Sequence, residues 1–334
     1  MVETGSGDRL RVAIVGAGGW GNQHARAFSA RSDIDLCGIY SRSSDRAVER
    51  AATYKTRPYT DIDEMLRTEK PDFVSVCLPN DAHFAPTLRV IEANIPLLVE
   101  KPLVFDLLEA EQLLEEAERR GLFFAINFNH RYAGPVARAR VAIEEGKLGE
   151  ISFATWRFGG EGSTTHHPHA NLIETQCHGI DMLEQLVGPI TSVAAEMTDK
   201  FAPGYSTLAV ALGFANGAVG TLLGSYDSSY AYPQTHLLEI NGTLGRILVE
   251  DTVKRYTYSR TGDATREVWE AGYFDDRGRD FHQAFDNHLE ALLGAFRRGD
   301  PPPVPARDGQ RVLQISYRII ESFETRRIVD VPHS

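Results

Sequence analysis

The sequence is poor in cysteine and contains no long apolar run. Its 334 residues include three cysteines, which are few and widely spaced, and Cys37 and Cys77 lie within apolar segments where buried thiols are expected. No apolar run approaches the ~20 residues of a membrane span, and residues 1–8 lack the apolar core of a signal peptide. These absences predict a protein of the reducing cytoplasm without a membrane partner.

An excess of basic residues is also missing. The 46 acidic and 35 basic residues give a net charge of −11, and they are spread along the chain without blocks of one sign. Binding to nucleic acid or to an anionic membrane requires a basic patch, so neither partner is expected. The apolar fraction of 42% and the charged fraction of 24% are ordinary for a globular protein, and the length allows two domains.

Up to residue 129, short apolar strands alternate with helices. This alternation predicts a parallel sheet that is covered on both faces and is wound by right-handed crossovers into a doubly wound Rossmann fold, of the α/β class. The predicted strands cover residues 11–15, 34–40, 73–78, 97–99 and 122–128, and the predicted helices cover residues 21–31, 45–54, 83–93 and 107–120.

Beyond residue 129 the strands are longer, alternate more clearly and are joined by turns such as Asn241-Gly242. Such alternation predicts an antiparallel sheet with one face covered. Strands are predicted over residues 151–158, 192–198, 206–214, 218–226, 236–241 and 246–250, and helices over residues 131–145, 281–298 and 307–324. We therefore predict a dinucleotide-binding domain at residues 1–129 and a substrate-binding, oligomerising α+β domain at residues 130–334.

A glycine-rich turn follows the first predicted strand. Gly16, Gly18 and Gly21 fit the pattern G-x-G-x-x-G, and the required strand and helix flank them. The first glycine permits the tight turn, the second lets the backbone approach a pyrophosphate, and the third lets helix and strand pack closely. The helix N-terminus then presents free N–H groups to the phosphates. Gly19 and Trp20 belong to the same turn, and Trp20 either covers the cofactor or simply packs.

The choice between NAD and NADP depends on the residues after the second strand. An acidic side chain there would bind the 2′-hydroxyl of NAD, but the sequence has Ser41, Arg42 and Ser43. No carboxylate would repel a 2′-phosphate, and the guanidinium and hydroxyls can bind one. NADP(H) is therefore favoured, while NAD(H) stays open because a missing acid is weaker evidence than a present one.

Lys101 stands at the end of an apolar run, between Glu100 and Pro102. A lysine at the end of a buried strand and before a rigid proline is expected to present its amine to a nucleotide site rather than to solvent. Such an amine either orients a substrate oxygen as an ammonium or, when neutral, takes up a proton.

Glu174, His178 and Asp181 form a second polar set, with spacings i, i+4 and i+7. On one helix they would share a face. Oxidation of a secondary alcohol by nicotinamide needs a base for the hydroxyl proton, and histidine titrates near neutral pH. His178 is therefore the predicted principal base, with Glu174 beside it. The alternatives are a satisfied core histidine for His178 and a solvated helix face for the two carboxylates.

These motifs together resemble the glucose–fructose oxidoreductase/inositol 2-dehydrogenase/rhizopine-catabolism (Gfo/Idh/MocA) family over almost the whole chain. The resemblance rests on the glycine turn with His24, Leu78-Pro79-Asn80 with His83, Glu100-Lys101-Pro102, and Glu174 with His178 and Asp181. It implies a Rossmann domain followed by a domain with a large, mostly antiparallel, open-faced sheet. It also implies a homodimer or homotetramer formed through that sheet.

The resemblance further implies roles for individual residues. Lys101 matches the active-site lysine, with a cis peptide bond before Pro102 in relatives, and His178 matches the proton acceptor. Glu174 occupies the place of an aspartate in many members, and the usual glycine run is replaced by residues 169–172. The predicted cofactor contacts are Gly16, Gly18, Gly19, Trp20, Gly21, Ser41, Arg42, Pro79, Asn80, His83, Glu100 and Lys101. The candidate substrate contacts are Arg131, Arg157, His169, Asp181 and Tyr226.

The predicted function is an NAD(P)-dependent oxidoreductase that transfers a hydride between nicotinamide and a secondary alcohol or ketone of a sugar, sugar derivative or cyclitol. Two alternatives are glycoside cleavage through transient oxidation by a tightly held NAD, and a non-catalytic NADP(H) sensor. Residues 166–169 and Cys177-His178 supply metal-ligand types, but their spacing matches no standard zinc site, so no metal is predicted.

Overall fold

The chain divides into two compact units. The computed structural model describes residues 9–160, 162, 166–200 and 203–332, and the predicted polar N-terminus at residues 1–8 lies outside them. One unit comprises Met1–Asn127 with Leu289–Gln310, and the other comprises Phe128–His288 with Arg311–Ser334. The first contains a parallel sheet and the second a mostly antiparallel one, so the predicted fold class is confirmed.

Six parallel strands form the sheet of the first unit, in the order β3-β2-β1-β4-β5-β6. The order reverses beside β1, and ligands bind beyond the strand ends at such a switch point. The strands are β1 Leu10–Val15, β2 Ile34–Tyr40, β3 Arg57–Tyr59, β4 Phe73–Val76, β5 Leu97–Val99 and β6 Phe124–Ile126. The helices between them are α1 Gly19–Ser29, α2 Ser44–Tyr54, α3 Ile62–Glu69, α4 Phe84–Glu92 and α5 Leu107–Arg119.

Strand β3 and helix α3 were not predicted. Strand β3 has only three residues, pairs with β2 at the edge of the sheet and contains Pro58. A short edge strand with a proline has no apolar run to reveal it, because proline is tolerated only where its missing donor faces away from the ladder. The edge position therefore explains the omission.

A return of the chain to the first sheet was also not predicted. The predicted division placed all of residues 130–334 in one domain, whereas Leu289–Gln310 belongs to the first unit. Phe296 packs edge to face on Phe73 and Phe123, with ring centroids 5.4 Å and 5.3 Å away. The Ile126 N–H also donates to the Val304 carbonyl at 3.0 Å. Periodicity predicts such a helix but not the partner on which it packs.

Nine strands form the sheet of the second unit, in the order β14-β13-β12-β11-β7-β10-β9-β8-β15. The central pair β7–β10 is parallel, and the other pairs are antiparallel. The strands are β7 Ile151–Gly159, β8 Ile190–Thr198, β9 Thr207–Phe214, β10 Val219–Ser225, β11 His236–Gly242, β12 Gly245–Glu250, β13 Arg255–Arg260, β14 Arg266–Glu270 and β15 Val329–Asp330. Strands β13, β14 and β15 were not predicted.

One face of this sheet is exposed. Residues alternate between buried and exposed along β9 and β10, and the exposed fractions reach 41% at Phe153, 61% at Val219 and 41% at Leu223. This exposed set, with Ala209, Ala211 and Thr221 between its larger members, is called the open sheet face below. The open-faced sheet that the resemblance implied is thus present.

The remaining helices are α6 Gly134–Glu144, α7 Cys177–Leu186, α8 Asp276–Arg279, α9 His282–Arg298 and α10 Ala306–Thr325. Helix α6 is shorter than the predicted helix because a 3₁₀ turn, Asn129–Tyr132, precedes it and Pro135 stands in its first turn, a position that proline favours. Within the described ranges, none of the helices has the length and apolar character needed to cross a membrane.

Candidate active site

The glycine turn after β1 is tight enough to require glycine at two positions. Gly16 has φ +132°, and a Cβ there would lie 2.3 Å from the Cys77 carbonyl oxygen. A Cβ on Gly21 would lie 2.1 Å from the Gly16 carbonyl oxygen. Both distances are far below a van der Waals contact, so neither residue can be replaced without moving the backbone. The roles predicted for the first and third glycines follow from these contacts.

Gly18 and Gly19 differ from those two because their surroundings are open. A Cβ added at either residue would meet no described atom within 4 Å. Gly18 is the N-cap of α1 and makes no side-chain capping bond, and the first turn of α1 has no acidic residue. The positive end of the α1 dipole therefore lies at the open glycines Gly18 and Gly19, where it favours an anion. This arrangement fits the pyrophosphate of a dinucleotide.

The segment after β2 presents hydroxyls and one guanidinium. The Ser43 N–H donates to Ser41 Oγ at 3.2 Å, and Ser43 Oγ caps α2 by accepting from the Arg46 N–H at 3.4 Å. Ser41 is buried, whereas Arg42 is exposed. Both hydroxyls still have a proton to donate, because these bonds use them as acceptors. The end of β2 itself carries Tyr40 rather than an acid.

Glu100 is the centre of a buried hydrogen-bond network at the end of β5. Its Oε1 lies 2.7 Å from His24 Nε2 and accepts from Asn127 Nδ2 at 2.6 Å. His24 Nδ1 lies 2.6 Å from Ser75 Oγ. Burial by itself would raise the pKa of Glu100, but the bonds from His24 and Asn127 and the charge of Lys101 leave that pKa below its usual value. The network thus ties β4, β5 and α1 together.

The same carboxylate also holds the backbone of Lys101. The Lys101 N–H donates to Glu100 Oε2 at 3.2 Å, and the Lys101 side chain is half-buried. The peptide bond between Lys101 and Pro102 is cis, as the resemblance implied. Glu100 is therefore a support for the lysine backbone in this structure, and its predicted contact with the cofactor stays a prediction.

His83 connects the loops that follow β4 and β5. Its Nδ1 lies 2.7 Å from the Pro102 carbonyl oxygen, and its Nε2 lies 3.0 Å from the Leu78 carbonyl oxygen. The side chain is 1% exposed. The two ring nitrogens of His83 thus contact carbonyl oxygens of both loops. His83 thus joins the two loops, and its predicted contact with the cofactor stays a prediction. Pro79 is the N-cap of the 3₁₀ turn Asn80–Ala82, which lies between β4 and α4.

The predicted single helix through Glu174, His178 and Asp181 is wrong in one respect. Glu174 lies in a π-helical turn, Asn171–Thr175, and α7 begins only at Cys177. The wide turn is closed by a bond from the Gln176 N–H to the Asn171 carbonyl at 2.9 Å, and such turns are frequent at functional sites. The exposed fractions of Glu174, His178 and Asp181 are 4%, 5% and 2%, so the alternative of a solvated face is wrong.

His178 stacks on a second histidine that was not singled out. The rings of His130 and His178 are 3.8 Å apart, centroid to centroid, and 4° from parallel. Phe128 meets the His178 ring edge on at 6.2 Å, and Phe281 meets the His130 ring edge on at 5.5 Å. The only sequence signal for His130 was its place beside Arg131, because nothing in a pattern shows that residues 48 positions apart will stack.

Arg131 and Asp181, both predicted as substrate contacts, bind each other. Arg131 Nε donates to Asp181 Oδ2 at 2.9 Å, and Nη2 donates to Oδ1. The side chains are 10% and 2% exposed. A bidentate pair of this kind holds both groups in a defined geometry, and it links the 3₁₀ turn of His130 to the helix of His178. Contacts of either residue with a substrate stay predictions.

A short histidine segment lies near Glu174. Burial lowers the pKa of His169 to about 4, with a further contribution from His167. Burial also lowers the pKa of His167, against the opposing charge of Glu174. The His169 ring stacks on Tyr205 at 4.9 Å, and the backbone N–H of His169 donates to His167 Nδ1 at 3.1 Å. Two neutral imidazoles therefore border the π-helical turn at neutral pH.

The other candidate substrate residues have local partners. Arg157 Nη2 donates to the Gln234 carbonyl at 2.6 Å, and the Tyr226 hydroxyl lies 2.8 Å from Thr175 Oγ1. Tyr226 thus reaches the residue after Glu174, whereas Arg157 is engaged with the loop before β11. The described residues contain no group of three or more histidine, cysteine, aspartate or glutamate side chains that would hold a metal ion, and the Cys177 thiol donates to the Glu174 carbonyl at 3.1 Å.

Two family models match the chain, and each falls within one of the predicted domains. A model described as an oxidoreductase family with an NAD-binding Rossmann fold matches residues 10–128. A model described as the GFO/IDH/MocA C-terminal domain matches residues 136–248. The first match contains the glycine turn and Lys101, and the second contains Glu174 and His178.

Named relatives agree with these matches. An inositol 2-dehydrogenase of Rhizobium meliloti is 24% identical over 340 residues, which cover 96% of this chain and 99% of that protein. A D-glucoside 3-dehydrogenase of Escherichia coli is 35% identical over 150 residues, which cover 44% of this chain and 43% of that protein. The structure of levoglucosan dehydrogenase in complex with NADH and levoglucosan is similar, with a TM-score of 0.89, 21% identity and coverage of 98% of this chain and 100% of that chain.

Proposed function

Because this chain belongs to the Gfo/Idh/MocA family of NAD-binding oxidoreductases, we propose that it transfers a hydride between nicotinamide and a secondary alcohol or ketone of a sugar, sugar derivative or cyclitol. Relatives named as inositol and glucoside dehydrogenases support this substrate class. The glycine turn carries the proposal, since it leaves Gly18 and Gly19 open at an uncapped helix end that suits a dinucleotide pyrophosphate.

The glycine turn would hold the dinucleotide, which would supply a hydride acceptor for the carbinol carbon in the direction of oxidation. Lys101 Nζ donates to the substrate oxygen and stabilises the charge that develops there, and an imidazole nitrogen of His178 takes the hydroxyl proton. Glu174 supports the same region, because its charge acts on His167. Burial of Glu174 and His178 excludes water from this proton transfer.

This assignment of roles is tested with Lys101→Ala and His178→Asn. Each substitution is expected to lower kcat at least 100-fold, in line with the loss of one proton-transfer or oxyanion group. The dissociation constant of the reduced cofactor, measured by fluorescence, is expected to change less than about threefold in His178→Asn. A panel of myo-inositol, levoglucosan, methyl glucosides and free hexoses, followed by absorbance of the reduced cofactor, supplies the substrate. Unchanged turnover in both variants contradicts the roles.

The cofactor preference that we propose is NADP(H), with NAD(H) as the alternative. Arg42 is exposed, and the hydroxyls of Ser41 and Ser43 keep a proton to donate, so this segment can bind a 2′-phosphate. Arg42→Ala is expected to weaken NADPH binding about 10-fold and to leave NADH binding nearly unchanged. Equal losses for the two cofactors contradict the preference. Release of free sugar from a glycoside without net cofactor reduction marks the glycoside-cleaving alternative instead.

We further propose that the open sheet face forms a homodimer or homotetramer interface. Its exposed phenylalanine, valine and leucine, separated by small residues, present the apolar surface that marks an interaction site. The cytoplasm remains the predicted compartment, and the three cysteines, which are buried and form no disulfide, are consistent with a reducing environment.

A further inference from the structure

We propose that His130 is a positioning residue for His178, which holds the His178 imidazole in one orientation and keeps it neutral so that it can accept the substrate proton. The inference rests on the function proposed above, because it concerns the base of that reaction. It adds a residue that the sequence motifs do not contain. Its basis is the parallel contact of the two rings at 3.8 Å.

The first step concerns orientation. A ring stacked face to face on His178 restricts rotation about its terminal torsion, which is otherwise broad for histidine. His130 is itself held by the edge of Phe281 at 5.5 Å and by tilted contacts with Phe158 at 5.9 Å and Trp156 at 6.5 Å. The side chains of His130 and His178 are 1% and 5% exposed. The stack therefore transmits the rigidity of a packed aromatic cluster to the imidazole of His178.

The second step concerns charge. Two imidazolium rings at this separation repel each other, and burial weakens the screening by water. A proton on one ring disfavours a proton on the other, so protonation of the two rings is coupled. While the first proton is shared with His130, His178 stays neutral in part of the molecules. Complete protonation of His178 is thereby displaced to lower pH.

Other charged groups near the stack have partners of their own. On the elements that pack against the two histidines, Arg131 binds Asp181 and Glu184 binds Arg311. Arg157 donates to a backbone carbonyl. Arg138 lies over the ring of Trp269, and Arg140 pairs with Glu144. Glu174 acts on His167. His236 stacks on Phe158 at 3.6 Å, and burial lowers its pKa to about 4. His130 is a titratable side chain whose ring stacks directly on His178.

The Arg131–Asp181 pair keeps the two histidines in contact. Arg131 follows His130 in the 3₁₀ turn, and Asp181 lies one helical turn after His178 in α7. The bidentate bonds and the stack therefore join the same two elements at adjacent positions, and the charged pair fixes their separation. This role requires no contact between His130 and the substrate.

The test compares His130→Phe with His130→Ala. Phenylalanine keeps a stacked ring without a titratable nitrogen, whereas alanine removes the ring. Tyr132→Leu is the matched control. It removes another aromatic ring of the same 3₁₀ turn, that of Tyr132, which stacks on His288 at 4.7 Å. The pH profile of kcat/KM is measured on the best substrate of the panel named above. In parallel, ¹⁵N-histidine NMR follows the protonation of His178, whose signals are assigned with His178→Asn.

In His130→Phe, the acid limb of kcat/KM and the NMR midpoint of His178 are expected to rise by about one pH unit, with kcat at high pH within about threefold of the unmodified protein. In His130→Ala, kcat at high pH is expected to fall about 10-fold with KM little changed. Tyr132→Leu is expected to keep the acid limb of kcat/KM at the same pH as in the unmodified protein. An acid limb and a His178 midpoint that are identical in His130→Phe and the unmodified protein overturn the inference, even when His178→Asn is inactive. Undiminished turnover in His178→Asn instead overturns the proposed base and, with it, this inference.

Discussion

The two units hold their candidate functional residues in different ways. In the first unit, backbone atoms surround the glycine turn and His83: the Cys77 carbonyl lies against Gly16, and the Pro102 and Leu78 carbonyls contact the His83 ring. In the second unit, His178 and Asp181 are held by side chains from a distant part of the sequence, His130 and Arg131. Backbone geometry follows from local motifs, whereas pairs of side chains depend on how elements pack. The predictions below test this difference, from the largest expected effect to the smallest.

The Arg131–Asp181 ion pair of the second unit is tested by Arg131→Met. Removing the guanidinium leaves the 2% exposed Asp181 carboxylate buried without its partner, so the free energy of unfolding is expected to fall by about 3–5 kcal/mol. Urea denaturation measures the change. The control is Arg326→Met, which breaks an ion pair with Glu196 whose side chains are 64% and 72% exposed, where less than about 1 kcal/mol is expected. Equal losses in the free energy of unfolding in the two variants contradict a stabilising role of the Arg131–Asp181 pair.

The backbone-held turn of the first unit is tested by Gly21→Ala. The added methyl group would lie 2.1 Å from the Gly16 carbonyl oxygen, so the turn must shift, and a loss of about 2–3 kcal/mol is expected. The matched control is Gly18→Ala, which meets no described atom within 4 Å. Gly18→Ala is expected to keep its thermal midpoint and to lose at least about 10-fold in cofactor affinity, because its methyl occupies the space for the pyrophosphate. Tight cofactor binding by Gly18→Ala would contradict the assigned position of the phosphates.

The pH dependence of the second unit is tested through His169. Its pKa is about 4 in the folded chain against an ordinary value of 6.5, so the unfolded state binds more protons between these values. Stability from this residue is complete above pH 6.5 and falls as the pH drops from 6.5 towards 4. His169→Gln is expected to flatten the dependence of the unfolding free energy over this interval. Arg42→Ala, on the first unit, serves as a control and is expected to leave the slope of the unfolding free energy against pH unchanged. The same slope in the unmodified protein, His169→Gln and Arg42→Ala rules out the contribution of His169.

The smallest effect on the fold is expected on the open sheet face. Val219→Glu, on a residue that is 61% exposed, should change monomer stability by less than about 0.5 kcal/mol. It should nevertheless lower the molar mass measured by light scattering, because a carboxylate is disfavoured in an apolar interface. Val48→Glu is the control in the first unit, on α2, where the valine is 53% exposed. An unchanged molar mass in Val219→Glu contradicts the proposed interface.

How much was predictable also differs between the units. The glycine turn, the strands around it and Lys101 were predicted because each depends on neighbours in the sequence and on a strand-to-helix order. The edge strand with Pro58 and the return of Phe296 to the first sheet were missed, since one lacks an apolar run and the other depends on contacts far along the chain. The π-helical turn at Glu174 was missed because an α-helical spacing predicts no inserted residue.

The sequence by itself determined the family, the α/β architecture and the place of the cofactor turn, because glycine, proline and hydrophobic periodicity act through local backbone geometry. The tertiary structure alone decided that His130 stacks on His178, that Arg131 binds Asp181 and that Glu100 binds His24 and Asn127. Each of these contacts joins side chains or strands whose separation and orientation are set by packing. A linear pattern carries no information about either quantity.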